Sequence, residues 1–255
     1  MKIMNRLFET ARCLKHRVDL ATHPWGRRST RLLADMKDSQ RGNRCFIVGN
    51  GPSLKQTDMS RLRNEFTFGM NRIYLMFPEL GFHTTYFVSV NHLVIQQCAQ
   101  EIMPLEMPKF LPWGSRRDIL EATPDTIFLN TSCPGRGFCK DARHPLWIGA
   151  TVTFVALQLA YHMGFSEVIL IGVDHNFSTQ GLAGQAVTSQ GDDPNHFAPN
   201  YFGKGFRWEL PDLETSEIAY RLARQAFEQD DRRVVDATVG GKLTIFPKVE
   251  YDTLF

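Results

Sequence analysis

What the chain lacks narrows its class before any motif is considered. No run of about eighteen consecutive apolar residues occurs, so no membrane-spanning helix is expected. The first residues are basic but include no apolar h-region, so no signal peptide is expected either. Cysteine is scarce and odd in number: Cys13, Cys45, Cys98, Cys133 and Cys139. Cys45 falls in an apolar run, and Cys133 and Cys139 flank Pro-Gly-Arg-Gly-Phe, a poor spacing for a structural zinc site. A reduced, cytoplasmic protein is the expectation. An excess of either charge is also missing, with 29 Lys+Arg against 27 Asp+Glu. The basic residues are dispersed and no nucleic-acid motif is visible, so no nucleic-acid partner is expected. Neither internal repeats nor low-complexity segments occur.

What is present suits a soluble α/β protein. The composition is 43% hydrophobic and 22% charged, and 255 residues suffice for one large domain with or without an appended subdomain. The most informative stretch is Cys45-Phe-Ile-Val-Gly-Asn-Gly-Pro-Ser-Leu-Lys55. Its apolar run ending in a glycine pair reads as a buried parallel strand breaking into a tight turn. Gly49 and Gly51 permit positive φ and close approach of a ligand, while Ser53 offers a hydroxyl and an N–H. Such a loop, at the carboxyl end of the first strand, is where open α/β sheets receive phosphate. It is not a Walker loop, because Gly-Lys-Ser/Thr is absent. Nor is it G-x-G-x-x-G, because Leu54 holds the last glycine position. An ordinary strand–turn remains the other reading of the pattern.

Residues 1–40 read as an N-terminal helical extension of two segments, broken at Thr22-His23-Pro24-Trp25-Gly26. The first interleaves Lys2, Arg6, Arg12, Lys15 and Arg17 with Met4, Leu7, Phe8 and Leu14. Such a helix can place residues 1–20 on an anionic surface, peripheral at the inner membrane face, or pack on the domain with its charges in water. Residues 41–255 read as a Rossmann-like domain. Strands are expected at Glu65–Asn71, Thr85–Asn91, Met107–Pro112, Asp125–Leu129, Glu167–Asp174 and Arg232–Asp236. Helices are expected at 92–103, at Thr151–Met163 capped by Gly164, and at Leu213–Gln229. The 151–163 helix is apolar nearly all round, which implies burial against the sheet. This alternation predicts an α/β fold: a single doubly wound, mostly parallel sheet with helices on both faces. Residues 131–145 read as a loop. Residues 175–212, rich in Gly, Asn, Asp and Pro, read as a long lid.

In such a sheet the strands' carboxyl ends converge, which brings Asn50, Asn71, Asn91 and Asp174 to one edge. Amides supply donors and acceptors without charge and suit the phosphate and hydroxyls of a nucleotide-activated sugar. Asparagine as a plain turn former is the alternative. Thr151 and Thr153 open the buried helix, where orphan N–H groups favour an anion, or where Thr151 serves only as a cap. His175, adjacent to Asp174, and His196, in the lid, are the candidate bases. Tyr201, Lys204, Arg207 and Trp208 are expected to cover and neutralise a phosphate. Asp174, Asp192 and Asp193 can hold Mg²⁺, but no spacing enforces it, and no metal site is assigned.

Gly49–Lys55, Phe68-Gly-Met-Asn71 and the block Thr151…Gly164-Phe-Ser-Glu-Val-Ile-Leu-Ile-Gly-Val-Asp174 together resemble the MptE-like superfamily. That group includes archaeal 6-hydroxymethyl-7,8-dihydropterin diphosphokinases and the motility accessory factor glycosyltransferases of flagellins. The same blocks, over about residues 41–250, are similar to small bacterial CMP-sialic acid-dependent sialyltransferases. The resemblance implies Asn50 and Asn71 near a donor phosphate, Asn91 near its sugar, Thr151–Thr153 near the nucleotide, and a lid histidine, nearest to His196, as base. Trp147-Ile148-Gly149-Ala150 stands where those sialyltransferases carry an arginine for the sialate carboxylate. A buried carboxylate without a cation is costly, which argues against sialic acid as the donor sugar. The expectation is a metal-independent glycosyltransferase of surface glycan synthesis, taking a CMP- or UDP-linked sugar and a glycan acceptor and requiring no cofactor. The rivals are a Mg²⁺-dependent 6-hydroxymethylpterin diphosphokinase, with Asp174 on the metal, and a non-catalytic nucleotide-binding module.

Overall fold

Seven short runs, apolar enough to be buried on both faces, pair side by side as parallel strands. The computed structural model describes residues 13–117, 121–132, 135–179 and 181–255. The strands are β1 (Arg44–Val48), β2 (Phe66–Met70), β3 (Tyr86–Val88), β4 (Lys109–Pro112), β5 (Thr126–Leu129), β6 (Glu167–Ile171) and β9 (Arg233–Asp236). They lie in the order β5-β4-β3-β2-β1-β6-β9, and every pair is parallel. The chain builds outward from β1 to β5, then returns to place β6 on the other side of β1. The topological switch point therefore falls between β1 and β6.

The described helices are α1 (13–22), α2 (Pro24–Met36), α3 (Phe77–Leu80, a single turn), α4 (His92–Ile102), α5 (Val152–Met163) and α6 (Leu213–Gln229). In α5 every residue from Thr153 to Met163 is buried, as its all-round apolar sequence requires. It ends at Gly164 in the left-handed region, at φ 92°. One core joins α2, α5 and α6 to one face of the sheet through Leu33, Phe154, Leu157, Ala219 and Phe227. The other joins α4, the 3₁₀ turns and the 197–210 segment to the opposite face, so helices flank both sides.

The break between α1 and α2 is an N-cap: His23 Nδ1 accepts the Trp25 N–H, and Pro24 opens the helix. Helix α2 is a layer of the same domain, since Ser29 Oγ accepts the Phe128 N–H of β5 at 2.9 Å and Leu33 enters the core. Asp19 of α1 accepts from Trp113 and Arg116. Leu14, Lys15, Arg17 and Val18 are exposed, while the rest of the proposed membrane-facing segment, 1–12, lies outside the described residues. Among the described residues no helix is long and apolar enough to cross a membrane. Cys45, Cys98 and Cys139 are free thiols.

The 175–212 segment is a folded cover and not a structureless loop. Strands β7 (Ala186–Thr188) and β8 (Arg207–Glu209) form an antiparallel pair within it. Phe197, Tyr201, Phe202 and Trp208 are buried beneath. Arg72, itself buried, fastens this cover. Its guanidinium donates to the carbonyls of Asn200 and Tyr201 and to Glu101, and its N–H donates to Tyr201 Oη.

Candidate functional site

A cavity of about 480 Å³ opens at the carboxyl edge of the sheet, at the switch point. That volume accommodates a small organic ligand. The ends of β1, β2, β3 and β6 form its floor, and the first turns of α4, α5 and α6 point into its wall. Among the expected site residues, Gly49, Asn50, Gly51, Asn71, Asn91, Thr151, Thr153, Asp174, His175 and His196 line it, and Ser53 does not. Five non-glycine residues among those described have positive φ, and three of them, Asn71, Ala150 and His175, border this cavity. Strained backbone is thus concentrated at the site.

The N–H groups of both glycines in the loop are paired with the β6 end of the sheet. Gly49 N–H donates to Ile171 O at 2.8 Å and Gly51 N–H to Gly172 O at 2.9 Å. Ser53 gives its N–H and its hydroxyl to the two oxygens of Asp174, at 3.1 and 2.7 Å. A Cβ on residue 49 would lie 2.1 Å from Gly172 O, and one on residue 51 would lie 1.7 Å from Asp174 Oδ2. The glycines exist here so that two strand-end loops can touch. The N–H groups of Gly49, Gly51 and Ser53 are thus already paired within the chain. Asp174 has both oxygens engaged on Ser53 of the 3₁₀ turn Pro52–Gln56 and so anchors this loop.

The three asparagines do reach the cavity, each with a different commitment. Asn91 caps α4, its Oδ1 accepting from the Leu93 and Val94 N–H groups. Asn71 Oδ1 accepts from Ser89 Oγ at 3.0 Å. Occupied acceptors fix both amides, so what each can still offer is an NH₂ donor. Asn50 differs. Its carbonyl accepts the Phe197 N–H of the cover, but its side-chain Oδ1 is buried without any partner. A buried acceptor left unpaired costs about 1–3 kcal/mol, which a ligand hydroxyl or N–H would recover. Thr151 caps α5 by accepting the Thr153 N–H, and its hydroxyl lies 3.3 Å from Tyr220 Oη.

Both candidate histidines are backed by carboxylates. His196 Nδ1–H donates to Asp193 Oδ2 at 2.7 Å, which leaves the Nε2 lone pair as the basic atom. Asp193 is held in turn by the N–H groups of Asn195 and Phe202, and the imidazole stacks on Tyr201 at 4.0 Å. His175 uses the other nitrogen: Nε2–H donates to Glu217 Oε1 of α6 at 3.3 Å. The Asp-x-x-His spacing is a signal that sequence reading could have weighed. Glu217, 42 residues from His175, has none.

Among the described residues, no lysine or arginine lines the cavity. Lys204 and Arg207 are exposed, with Arg207 bonded to Gln96, and Tyr201 is buried beneath the cover, so only Trp208 of that expected set borders the cavity. Positive potential comes instead from three helix N-termini. A Mg²⁺ ion fits poorly, because the oxygens of Asp174 and Asp193 are already engaged and Asp192 lies exposed outside the cavity. Among the described residues, no three His, Cys, Asp or Glu side chains gather as ligands.

A parallel sheet whose order turns back at β1 and β6, with a polar cavity over that turn, places the chain among the Rossmann-like α/β proteins. Residues 22–180, more than half of the chain, match the family described as 6-hydroxymethylpterin diphosphokinase MptE-like, and the chain belongs to that MptE-like family. Among solved structures it is similar to the MAf glycosyltransferase from Magnetospirillum magneticum AMB-1, at 14% identity and a TM-score of 0.54 over 89% of this chain. The chain spans 39% of the length of that enzyme, and the likeness is one of fold. A mammalian sialyltransferase solved in complex with Gal-beta-1-3GalNAc-ortho-nitrophenol aligns at 14% identity and a TM-score of 0.40, over 91% of this chain and 86% of that one. No curated protein matches the chain.

Proposed function

We propose that this protein is a glycosyltransferase of bacterial surface glycan synthesis, moving a sugar from a CMP- or UDP-linked donor to a glycan hydroxyl without a metal ion. The observation that carries this reading is the His196–Asp193 pair on the wall of the switch-point cavity. Asp193 fixes the tautomer, so His196 Nε2 can take the acceptor's hydroxyl proton as that oxygen attacks the anomeric carbon. Asn71 and Asn91 supply fixed amide donors, and the α5 N-terminus supplies a positive dipole end, toward the donor phosphate. The orphaned Asn50 Oδ1 accepts a hydroxyl of the bound nucleotide or sugar. Metal independence is supported by the carboxylates' prior commitments. The MAf-like fold is consistent with the reading.

The test is His196→Ala, assayed with CMP- and UDP-linked sugars. Turnover should fall by about 10²–10⁴-fold while nucleotide binding persists. Unchanged turnover would remove His196 from the mechanism.

The family's description favours a second reading, diphosphokinase activity toward a pterin alcohol. Transfer of pyrophosphate from ATP that stops on chelating Mg²⁺ would establish it, and the committed state of Asp174 weighs against it.

A further inference from the structure

Transfer of a sugar from a phosphate ester leaves the nucleotide phosphate with one more negative charge. Among the described residues that line the cavity, no lysine or arginine meets that charge. It does have a second carboxylate-backed imidazole that the mechanism above does not use. We propose that His175, held by Glu217, forms the leaving-phosphate subsite of this cavity and donates a hydrogen bond from Nδ1 to the departing phosphate oxygen.

This inference rests on the glycosyltransferase reading and extends it to the other end of the scissile bond. Four observations support it. His175 sits at the end of β6, beside the switch point, with a left-handed backbone (φ 52°) that histidine rarely adopts without reason. Its Nε2–H is spent on Glu217, and among the described residues Nδ1 makes no hydrogen bond. The ring stands edge-on to Tyr220, whose hydroxyl is bonded to Thr151, so the imidazole and the α5 N-terminus belong to one wall. Finally, His196 presents the opposite nitrogen, with Nδ1 on its carboxylate and Nε2 open. Each ring thus leans on a carboxylate and leaves one nitrogen open. In the proposed step His196 takes a proton at its open nitrogen, and His175 acts as the doubly protonated ring, donating from Nδ1.

The step balances. The acceptor O–H proton goes to His196 Nε2, and the acceptor oxygen forms a bond to the anomeric carbon. The bond from that carbon to the phosphate oxygen breaks, and its electron pair stays on the phosphate. The proposed subsite requires His175 to carry both ring protons at this point, Nε2–H on Glu217 and Nδ1–H toward the departing oxygen. The titratable and charged groups around this ring are Glu217 and Tyr220 on α6, Arg221 paired to Glu217 from the same helix, and Asp174, which precedes it and is held by Ser53. From the C-terminal segment, Lys242 gives its N–H to the Asp174 carbonyl.

The experiment is calorimetric titration of CMP, UDP and cytidine into the wild type, His175→Asn and Glu217→Gln. Each is measured at about pH 5, where imidazoles are charged, and about pH 8.5, where they are neutral. Asparagine tolerates the left-handed backbone, so that variant keeps the turn. The expected result is about tenfold or greater weakening of the bound nucleotide in His175→Asn at the lower pH, and less at the higher. Comparing variant with wild type at each pH cancels the phosphate's own titration near about pH 6. Cytidine, which has no phosphate, should bind all three proteins alike, whereas a merely structural defect would weaken it too. Glu217→Gln, which keeps the ring but loosens its orientation, should weaken the nucleotide in the same direction. Equal nucleotide affinity of wild type and both variants at both pH values would overturn the subsite. A wild type that binds neither CMP nor UDP would instead overturn the glycosyltransferase reading on which it rests.

Discussion

At the scale of single residues, the sharpest constraint is the contact between Gly51 and Asp174. Any side chain at position 51 meets Asp174 Oδ2 at once, and Gly172 O lies behind it at 2.9 Å. Gly51→Ala should therefore destabilise the protein by about 1–3 kcal/mol, read as a lower urea midpoint. Asp174→Ala should cost a similar ~1–3 kcal/mol, because it strands the Ser53 donors. The two should not add, since removing the carboxylate also removes most of the clash. Strict additivity would mean that the loops relax independently and that glycine is needed here for another reason. Asp174→Asn separates structure from chemistry: loss of turnover with unchanged stability would return Asp174 to the mechanism as a base.

At the scale of elements, the regular structure was legible in the sequence and the cover was not. Helix α6 spans Leu213–Gln229, the range its sequence pattern predicts, and α5 runs between its Thr151 cap and its Gly164 stop. Those boundaries are local chemistry, written in caps and periodicity. Strands β7 and β8 are three residues each and largely exposed, too short for periodicity to mark. The cover's order comes from distant partners, because Arg72 at the end of β2 holds residues 200 and 201. The site divides the same way. Asn50, Asn71 and Asn91 were placed by strand ends alone, and Asp193 lies three residues from His196, whereas Glu217 behind His175 depends on how segments cross. Arg72→Met tests the anchor. Amides of residues 193–208 should exchange faster with solvent while those of β1 and β6 stay protected, and KM should rise because Trp208 and His196 share that cover. Unchanged exchange in the cover would mean that its aromatic packing suffices.

At the scale of the whole molecule, the helical layer α2–α5 is joined through one buried imidazole, and this sets how the protein responds to acid. His162 Nε2–H donates to Leu33 O at 2.7 Å, and Nδ1 accepts the Ala142 N–H at 3.3 Å. That pairing demands the neutral ring, since a proton on Nδ1 would face another N–H. Burial pushes the His162 pKa below its ordinary value. A group whose folded pKa is depressed contributes stability above its unfolded pKa and loses it as pH falls. Stability should therefore begin to drop below about pH 6.5, the ordinary imidazole value. Asp141 nearby acts with the same sign but in a lower window. Hydrogen bonds from Arg143 and Lys37 hold its carboxyl well below the usual carboxylate range, so its contribution fades only under strongly acidic conditions. The two windows are separable by experiment. Urea unfolding of the wild type at about pH 7.5 and about pH 5 should show a loss on acidification that is reduced in His162→Gln, whose amide does not titrate. An equal loss in both proteins would move the acid sensitivity away from the α2–α5 joint, to the exposed carboxylates and the cavity histidines.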